Sequence, residues 1–199
     1  MTDPAAPVPA DLAIARTRAW MRRAVVGLNL CPFARAVDAK GQIRYVVSEA
    51  TDAETLLAAL CDELRLLADA DPTAIDTTLL IHPRALADFA DFNDFLEIAD
   101  AAVAELGLEG FLQVASFHPD FQFADTAPDD VTNATNRAPY PTLHLLREAS
   151  VDRAVDAFPE AETIFERNMA TMERLGPAGW AELRAAWEDD AAAELRGAG

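Results

Sequence analysis

The chain has 199 residues, of which 51% are hydrophobic and 25% are charged, and this composition suits one globular domain with a real core. Its formal net charge of -18 repels phosphate backbones and anionic lipids, which argues against nucleic acids and membranes as partners. The cysteines, Cys31 and Cys61, are too few for a disulfide framework, and the sequence predicts no signal peptide and no membrane-spanning run. We therefore expect a cytoplasmic protein.

The first half of the chain alternates helical and strand patterns. Residues 1–9 are proline-rich and predict a flexible tail, and residues 10–199 predict a single α/β domain. A helix is expected over residues 11–30, followed by a short helix in PFARAVDA and a strand in QIRYVVSE. Thr51 and Glu54 have the spacing of a capping box, which predicts the start of the next helix.

The second half predicts two further strands joined by a helix, and then a long loop. DTTLLIHP and GFLQVASFHP have strand composition, with a helix over RALADFADFNDFLEIADAAVAELG between them. Residues 119–141 have no clear periodicity, and TLHLLRE predicts a fourth strand after them. The remaining residues predict helices, among them EAETIFERNMATMERL, which should end at Gly176.

These elements predict a layered α/β domain. Short strand–helix–strand connections usually give parallel neighbours, so the first three strands should be parallel and the fourth antiparallel to them. The expected fold is a mixed four-stranded sheet flanked by helices, with a helical C-terminal extension.

The second and third strands end in the same way, in LLIHP and ASFHP. Because both strands point in one direction, His82 and His118 should lie at the carboxyl edge of the sheet, where open α/β sheets bind ligands. His144 is two residues inside the fourth strand and should lie nearby. All three histidines of the chain are thus expected in one region.

The segment TNRAPYP should cover this edge as a lid. Arg137, stiffened by the following prolines, is suited to a carboxylate or phosphate, with His82, Asn133, Asn136 and Tyr140 as further substrate contacts. Alternatively, the two asparagines form turns with their own backbone, Tyr140 pins the loop to the core, and Arg137 pairs with a loop aspartate. The loop aspartates are Asp125, Asp129 and Asp130.

Cys31 precedes Pro32 at the amino end of the predicted short helix, where a thiolate is stabilised. Together with a histidine it could form a Cys–His nucleophile, for which His118 and His144 are the candidates. The alternative is a buried structural cysteine, which is also the interpretation of Cys61.

The histidines allow a metal site as an alternative, with His82, His118, His144 and Asp120 as ligands of a divalent metal such as zinc or iron. Their spacing matches no established ligand motif. The sequence has no glycine-rich phosphate loop and therefore no nucleotide-binding motif, and the cofactor stays unassigned.

Three blocks, NLCPFA, QVASFHPDFQFAD and TNRAPYPTLHLLRE, resemble the signature blocks of a domain-of-unknown-function family, the fourteen-fifteen family of small bacterial proteins. The resemblance extends from the first helix to the helix around Asn168 and implies a bacterial protein with one compact domain. It implies no activity. It does group Cys31, His118, Asn136, Arg137 and His144 as one set.

We expect a small-metabolite enzyme that binds an anionic substrate at the carboxyl edge of the sheet. Arg137 and Asn136 would bind the anion, His118 would be the general acid or base, and Cys31 would be the nucleophile. The alternatives are a metal-dependent enzyme with a histidine site and a non-catalytic module that binds a small regulatory ligand.

Overall fold

The computed structural model of the protein describes residues 8–157 and 163–197. Most of the expected tail, residues 1–7, lies outside the described residues, and so does the start of the helix expected over EAETIFERNMATMERL. Within the described ranges, none of the helices combines the length and hydropathy that crossing a bilayer requires.

Helices account for most of the described chain. They are α1 (Ala10–Trp20), continued by a π-helical segment (Met21–Val26), α2 (Ala34–Ala39), α3 (Ala53–Asp69), α4 (Phe89–Glu105), a 3-10 segment (Val131–Asn136), α5 (Glu148–Ala157) and α6 (Ile164–Gly197). The last helix is kinked at Gly176, whose φ of 68° lies in the left-handed region that glycine adopts readily, and Pro177 follows it.

Aspartate side chains cap α3 and α4. Oδ1 of Asp52 accepts a hydrogen bond from the backbone N–H of Thr55 at 2.8 Å, and Oδ1 of Asp88 accepts one from Ala90 at 2.8 Å. The capping box predicted at Thr51 is therefore wrong by one residue. The helix expected from position 84 instead begins after Asp88, because residues 83–88 form a turn and bends.

The strands form one four-stranded sheet. They are β1 (Ile43–Val47), β2 (Thr77–Ile81), β3 (Leu112–Phe117) and β4 (Thr142–Arg147), arranged in the order β1-β2-β4-β3. β1 pairs with β2 in parallel, whereas β4 pairs antiparallel with both β2 and β3.

The prediction of three parallel strands is wrong as a description of the pairing, because the sheet contains one parallel pair. The connection through α4 passes over one strand position, and β4 fills that position. β4 is one of the two central strands, and its residues Leu143 and Leu145 are fully buried. Since β4 is antiparallel to both neighbours, β2 and β3 still end at the same edge of the sheet.

Helices cover both faces of the sheet and create two large hydrophobic cores, beside a small cluster of Ala13, Ile81 and Tyr140. Alternate residues of each strand face opposite sides, as Leu79 and Leu80 of β2 illustrate. Leu79 belongs to the core formed with α1, the π-helical segment and α6, whereas Leu80 belongs to the core formed with α3 and α4. We call these sides of the sheet the α1–α6 face and the α3–α4 face.

Candidate functional site

His82 and His118 directly follow β2 and β3 and lie side by side. Both rings pack on Phe92 of α4, with ring centroids 5.7 Å away for His82 and 5.0 Å away for His118. Both residues are completely buried. The structure therefore brings these two histidines together at one edge of the sheet, on the α3–α4 face.

The backbone holds both nitrogens of His118. Nδ1 accepts a hydrogen bond from the N–H of Asp120 at 3.0 Å, which leaves the proton on Nε2, and Nε2 then donates to the carbonyl of Leu86 at 3.2 Å. Burial lowers the pKa of the imidazole. In this arrangement the ring anchors the loop after β3 and has no nitrogen left for a substrate.

His82 has a similar anchoring contact and one unused nitrogen. Its Nδ1 lies 3.0 Å from the carbonyl oxygen of Ala85, so Nδ1 carries the proton. Its Nε2 is buried and has no hydrogen-bond partner among the described residues. Burial lowers the pKa of His82 to about 4, and the nearby His118 acts in the same direction.

The loop before β4 crosses the edge where these histidines lie. The backbone N–H of His118 donates to the carbonyl of Asn136 at 3.2 Å, and the N–H of His82 donates to the carbonyl of Pro141 at 3.0 Å. Residues 136–141 thus run across the carboxyl ends of β2 and β3, held by hydrogen bonds to the backbone.

Asn133 organises the interior of this loop. Its Oδ1 accepts hydrogen bonds from the N–H of Phe123 at 3.0 Å and the hydroxyl of Thr126 at 2.8 Å, and its Nδ2 donates to the carbonyl of Ala127 at 2.9 Å. The residue is completely buried. Its amide is committed to the loop, whereas Oδ1 of Asn136 receives only a 3.2 Å hydrogen bond from Thr135.

Arg137 is held by backbone carbonyls. Its Nε donates to the carbonyl of Phe121 at 3.1 Å and its Nη2 donates to that of Pro128 at 2.7 Å. None of the salt bridges of the described residues involves Arg137, so the alternative pairing with a loop aspartate is not found. One edge of the guanidinium is thereby fixed, and the other edge, Nη1 and the second N–H of Nη2, remains available.

A cavity of about 500 Å³ lies beside this guanidinium, next to the carboxyl end of β3. Its charged and aromatic lining comes from α1, the segment after β3, the loop and α6: Arg16, Asp120, Arg137, Tyr140, Trp180, Arg184, Trp187 and Glu188. We call this cavity the arginine pocket. His82, His118, His144, Cys31, Asn133 and Asn136 are not part of its lining.

Arg16 connects three walls of the arginine pocket. Its Nη1 donates to the hydroxyl of Tyr140 at 2.8 Å, and its Nε lies 2.6 Å from Oε2 of Glu188. The second contact is an ion pair in which the N–H is not directed at the oxygen. Burial raises the pKa of Tyr140, and the adjacent Arg16 opposes this rise. Tyr140 therefore stays a neutral hydrogen-bonding group.

Arg137 and Arg184 are close enough to influence each other electrostatically. Burial is the main cause that lowers the pKa of Arg137; Arg184 lowers it further, whereas Asp120 raises it. Arg184 makes no hydrogen bond or ion pair with any of the described residues. Two guanidinium groups without carboxylate partners thus border one cavity.

The contribution of α6 was missed by the sequence reasoning. Trp180, Arg184 and Glu188 recur every four residues, which places them on one side of the helix, and Trp187 lies beside them. This spacing was a usable signal, but it does not say which part of the chain the helix packs against. Arg16 gave no local signal because its partners are more than a hundred positions away.

Cys31 lies elsewhere, against the core of the α1–α6 face. Burial raises the pKa of its thiol, and backbone N–H groups of Phe33 and Ala34 only partly oppose this rise. The depression next to Pro32 has a volume of about 10 Å³, room for about one water molecule. The helix-end stabilisation expected for a thiolate is thus outweighed by desolvation.

His144 is not part of the histidine pair. It lies on the α1–α6 face of the sheet, where Nε2 is 2.8 Å from the hydroxyl of Thr77 and the ring is 5.8 Å from that of Phe117. Although the residue keeps some accessible surface, burial lowers its pKa to about 4. No hydrogen bond within the described ranges joins Cys31 to a histidine, and the proposed catalytic residues do not form one constellation.

The alternative metal ligands are also separated. His82 and His118 lie on the α3–α4 face, and His144 lies on the opposite one. Among the described residues, no group of three or more His, Cys, Asp or Glu side chains is arranged to hold a metal ion.

Comparison with known proteins gives a family and no further relative. No curated protein and no solved structure matches the chain. A family model does match residues 12–182, which extend from the first turn of α1 to the middle of α6. The matched part contains Arg16, Asp120, Arg137, Tyr140 and Trp180, whereas Arg184, Ala185, Trp187 and Glu188 of α6 follow it. The chain therefore belongs to the family described as protein of unknown function, DUF1415.

Proposed function

We propose that this protein binds a small anionic molecule in the arginine pocket. The observation that carries the proposal is the state of Arg137, which is fixed by two carbonyls, borders a cavity and has no carboxylate partner among the described residues. A guanidinium held in this way loses little conformational entropy when an anion binds to its free edge.

The overall charge of the protein strengthens this argument. The chain has 34 acidic residues and 16 basic ones, yet three arginines and two carboxylates line the cavity. The Arg16–Glu188 ion pair leaves Arg137 and Arg184 as the arginines of the lining without a carboxylate partner, and the charge of Arg184 acts on Arg137. Bringing an anion between them would relieve their repulsion, and a negatively charged protein offers few other places for such a ligand.

The size of the cavity points to a metabolite. A volume of about 500 Å³ falls within the usual range for small-molecule sites. A small anion of the bacterial cytoplasm fits this proposal, and the free state of Cys31 and Cys61 is consistent with a reducing compartment. The chemistry predicted for Cys31 and His118 remains a hypothesis from the sequence, because neither residue lines the cavity.

The test is a calorimetric titration of the purified protein with glutarate and with ethyl phosphate. We expect at least one of them to bind, and Arg184→Gln to lower the affinity about tenfold, because a charged contact with the anion is lost. Since the Arg184 side chain makes no hydrogen bond with the other described residues, this substitution should not disturb the fold. Arg137→Gln should lower the affinity at least as much. The matched control is Arg65→Gln, which removes an exposed arginine paired with Asp62 and should leave binding unchanged.

Cys31→Ala removes the thiol that the sequence suggested as a nucleophile. Because Cys31 does not line the cavity, this variant should bind the probes as tightly as the wild type. Absence of binding by either probe, or equal affinity for wild type and both pocket variants, would refute the proposed function.

A further inference from the structure

We infer that the ligand of the arginine pocket is zwitterionic, with an ammonium group that Asp120 receives and an acidic part that Arg137 and Arg184 receive. This inference rests on the proposed function and adds the class of ligand. Acidic amino acids and aminoalkyl phosphates share the required chemistry, since each carries two negative charges and one positive charge near neutral pH.

The backbone of Asp120 is held in position, while its carboxylate has no hydrogen-bond or ion-pair partner among the described residues. Its backbone N–H donates to Nδ1 of His118, which fixes the position of the residue just beyond β3. Its side chain forms no hydrogen bond and no ion pair with the other described residues. It lies close enough to raise the pKa of Arg137, but none of the ion pairs of the described residues includes it. Asp120 lines the same cavity as three arginines and is bound to none of them, so its carboxylate is available to a cationic group of a ligand.

The charges of the lining match such a ligand. Arg16 and Glu188 neutralise each other as an ion pair, and this leaves two positive charges, on Arg137 and Arg184, opposite one negative charge on Asp120. A simple dianion would satisfy the arginines but would place its charge beside Asp120. An ammonium group on the same molecule turns that repulsion into attraction.

The aromatic wall favours the same class. Trp180 and Trp187 contact each other edge to face, with ring centroids 5.3 Å apart, and Tyr140 lies on the loop across from them. Most of each ring is buried, since Trp180 is 8% and Trp187 is 4% exposed. The ring surface that borders the cavity can attract an ammonium group through the negative potential of the aromatic faces, which a simple anion would not use.

The experiment compares pairs of compounds that differ in one amine. Glutamate is titrated against glutarate, and O-phosphoethanolamine against ethyl phosphate, so that carboxylate and phosphate sources are distinguished. We expect the amine-bearing member of at least one pair to bind about tenfold more tightly to the wild-type protein. Asp120→Asn should reduce that preference to near one while affinity for the amine-free member is kept or increased.

Asp129→Asn is the matched control, because it removes an exposed loop aspartate that is not part of the lining and should leave the preference intact. If glutarate or ethyl phosphate binds as tightly as its amine-bearing partner and Arg184→Gln weakens both, the proposed function stands and the zwitterion is refuted. A preference that survives Asp120→Asn refutes the role of that carboxylate. Failure of all four compounds to bind refutes both proposals.

Discussion

Two arginines near opposite ends of β4 are held by backbone carbonyls, but with different consequences. Arg147, at the end of the strand, is 4% exposed. Its Nη2 donates to the carbonyls of Leu67 and Ala70, and its Nε donates to that of Ile75 at 3.3 Å. Leu67 and Ala70 belong to the last turn and cap of α3, whose carbonyls have no partners within the helix.

Arg137, five residues before β4, has only two such contacts and borders the arginine pocket. The guanidinium of Arg147 thus caps the end of α3. The guanidinium of Arg137, near the other end of β4, keeps N–H groups that no carbonyl occupies. The comparison teaches that burial and carbonyl contacts alone do not mark a binding residue. The cavity and the unused N–H groups do.

The largest effect on stability should come from Arg147. Arg147→Met keeps the apolar stem but removes the donor that the carbonyls of Leu67, Ala70 and Ile75 share, and we expect it to lower the free energy of unfolding by about 4 kcal/mol. Urea denaturation measures this. Arg65→Met, which breaks an exposed pair, should cost less than about 1 kcal/mol. A similar small loss for both variants would mean that Arg147 is not a structural cap.

The second prediction concerns pH and the histidines at the other edge. The pKa of His82 falls from 6.5 to about 4 on folding, so between these values the unfolded chain binds more protons than the folded one. Stability should therefore decrease as the pH is lowered from 6.5 to 4, and His82 should contribute about 3 kcal/mol to that decrease. Denaturation midpoints across this window give the measurement.

His82→Asn isolates the contribution of this residue. The asparagine Nδ2 can donate to the carbonyl of Ala85 as Nδ1 does, but it does not titrate. The pH dependence of this variant should be shallower by the stated amount. An unchanged slope would show that the imidazole is not desolvated as the structure indicates.

Much of this edge of the sheet followed from local sequence. The histidine–proline pairs that end β2 and β3, and the position of TLHLLRE as a strand, depend on short-range patterns of apolar and turn residues. The strand order could not be predicted from local sequence. A helical connection between two strands can leave room for another strand between them, and the length of the connection does not show whether it does. The insertion of β4 between β2 and β3 depends on contacts between distant parts of the chain, and these are a property of the whole fold.

The sequence predicted that the segment with Arg137 crosses the ends of β2 and β3, but it did not predict the cavity beside this residue or the other residues that line it. Arg137 stood out because it precedes two prolines in a long loop, and this composition is unusual for a mere connection. The carbonyl partners of Arg137 depend on how the loop folds. The separation of Cys31 and His144 from His118 depends on which face of the sheet each side chain lies against. The α6 residues that line the cavity are brought there by packing between distant parts of the chain, and the periodicity within one helix does not predict such packing.

The smallest of these effects tests how the loop holds Arg137 in place. Asn133→Ala removes an amide that joins Phe123, Thr126 and Ala127, and we expect a loss of about 2 kcal/mol in stability. The same substitution should weaken ligand binding, because Phe121 and Pro128 lie in the segment that Asn133 organises and they hold the guanidinium.

Asn136→Ala is the matched comparison within the same segment. Its side chain receives one hydrogen bond, from Thr135, whereas its carbonyl, which accepts from His118, belongs to the backbone and remains. We expect a loss below about 1 kcal/mol and unchanged affinity. If Asn136→Ala proves as damaging to binding as Asn133→Ala, the amide of Asn136 reaches the ligand directly. Asn136 would then join Arg137 in recognising the anion, and the arginine pocket would extend along the loop toward the histidine pair.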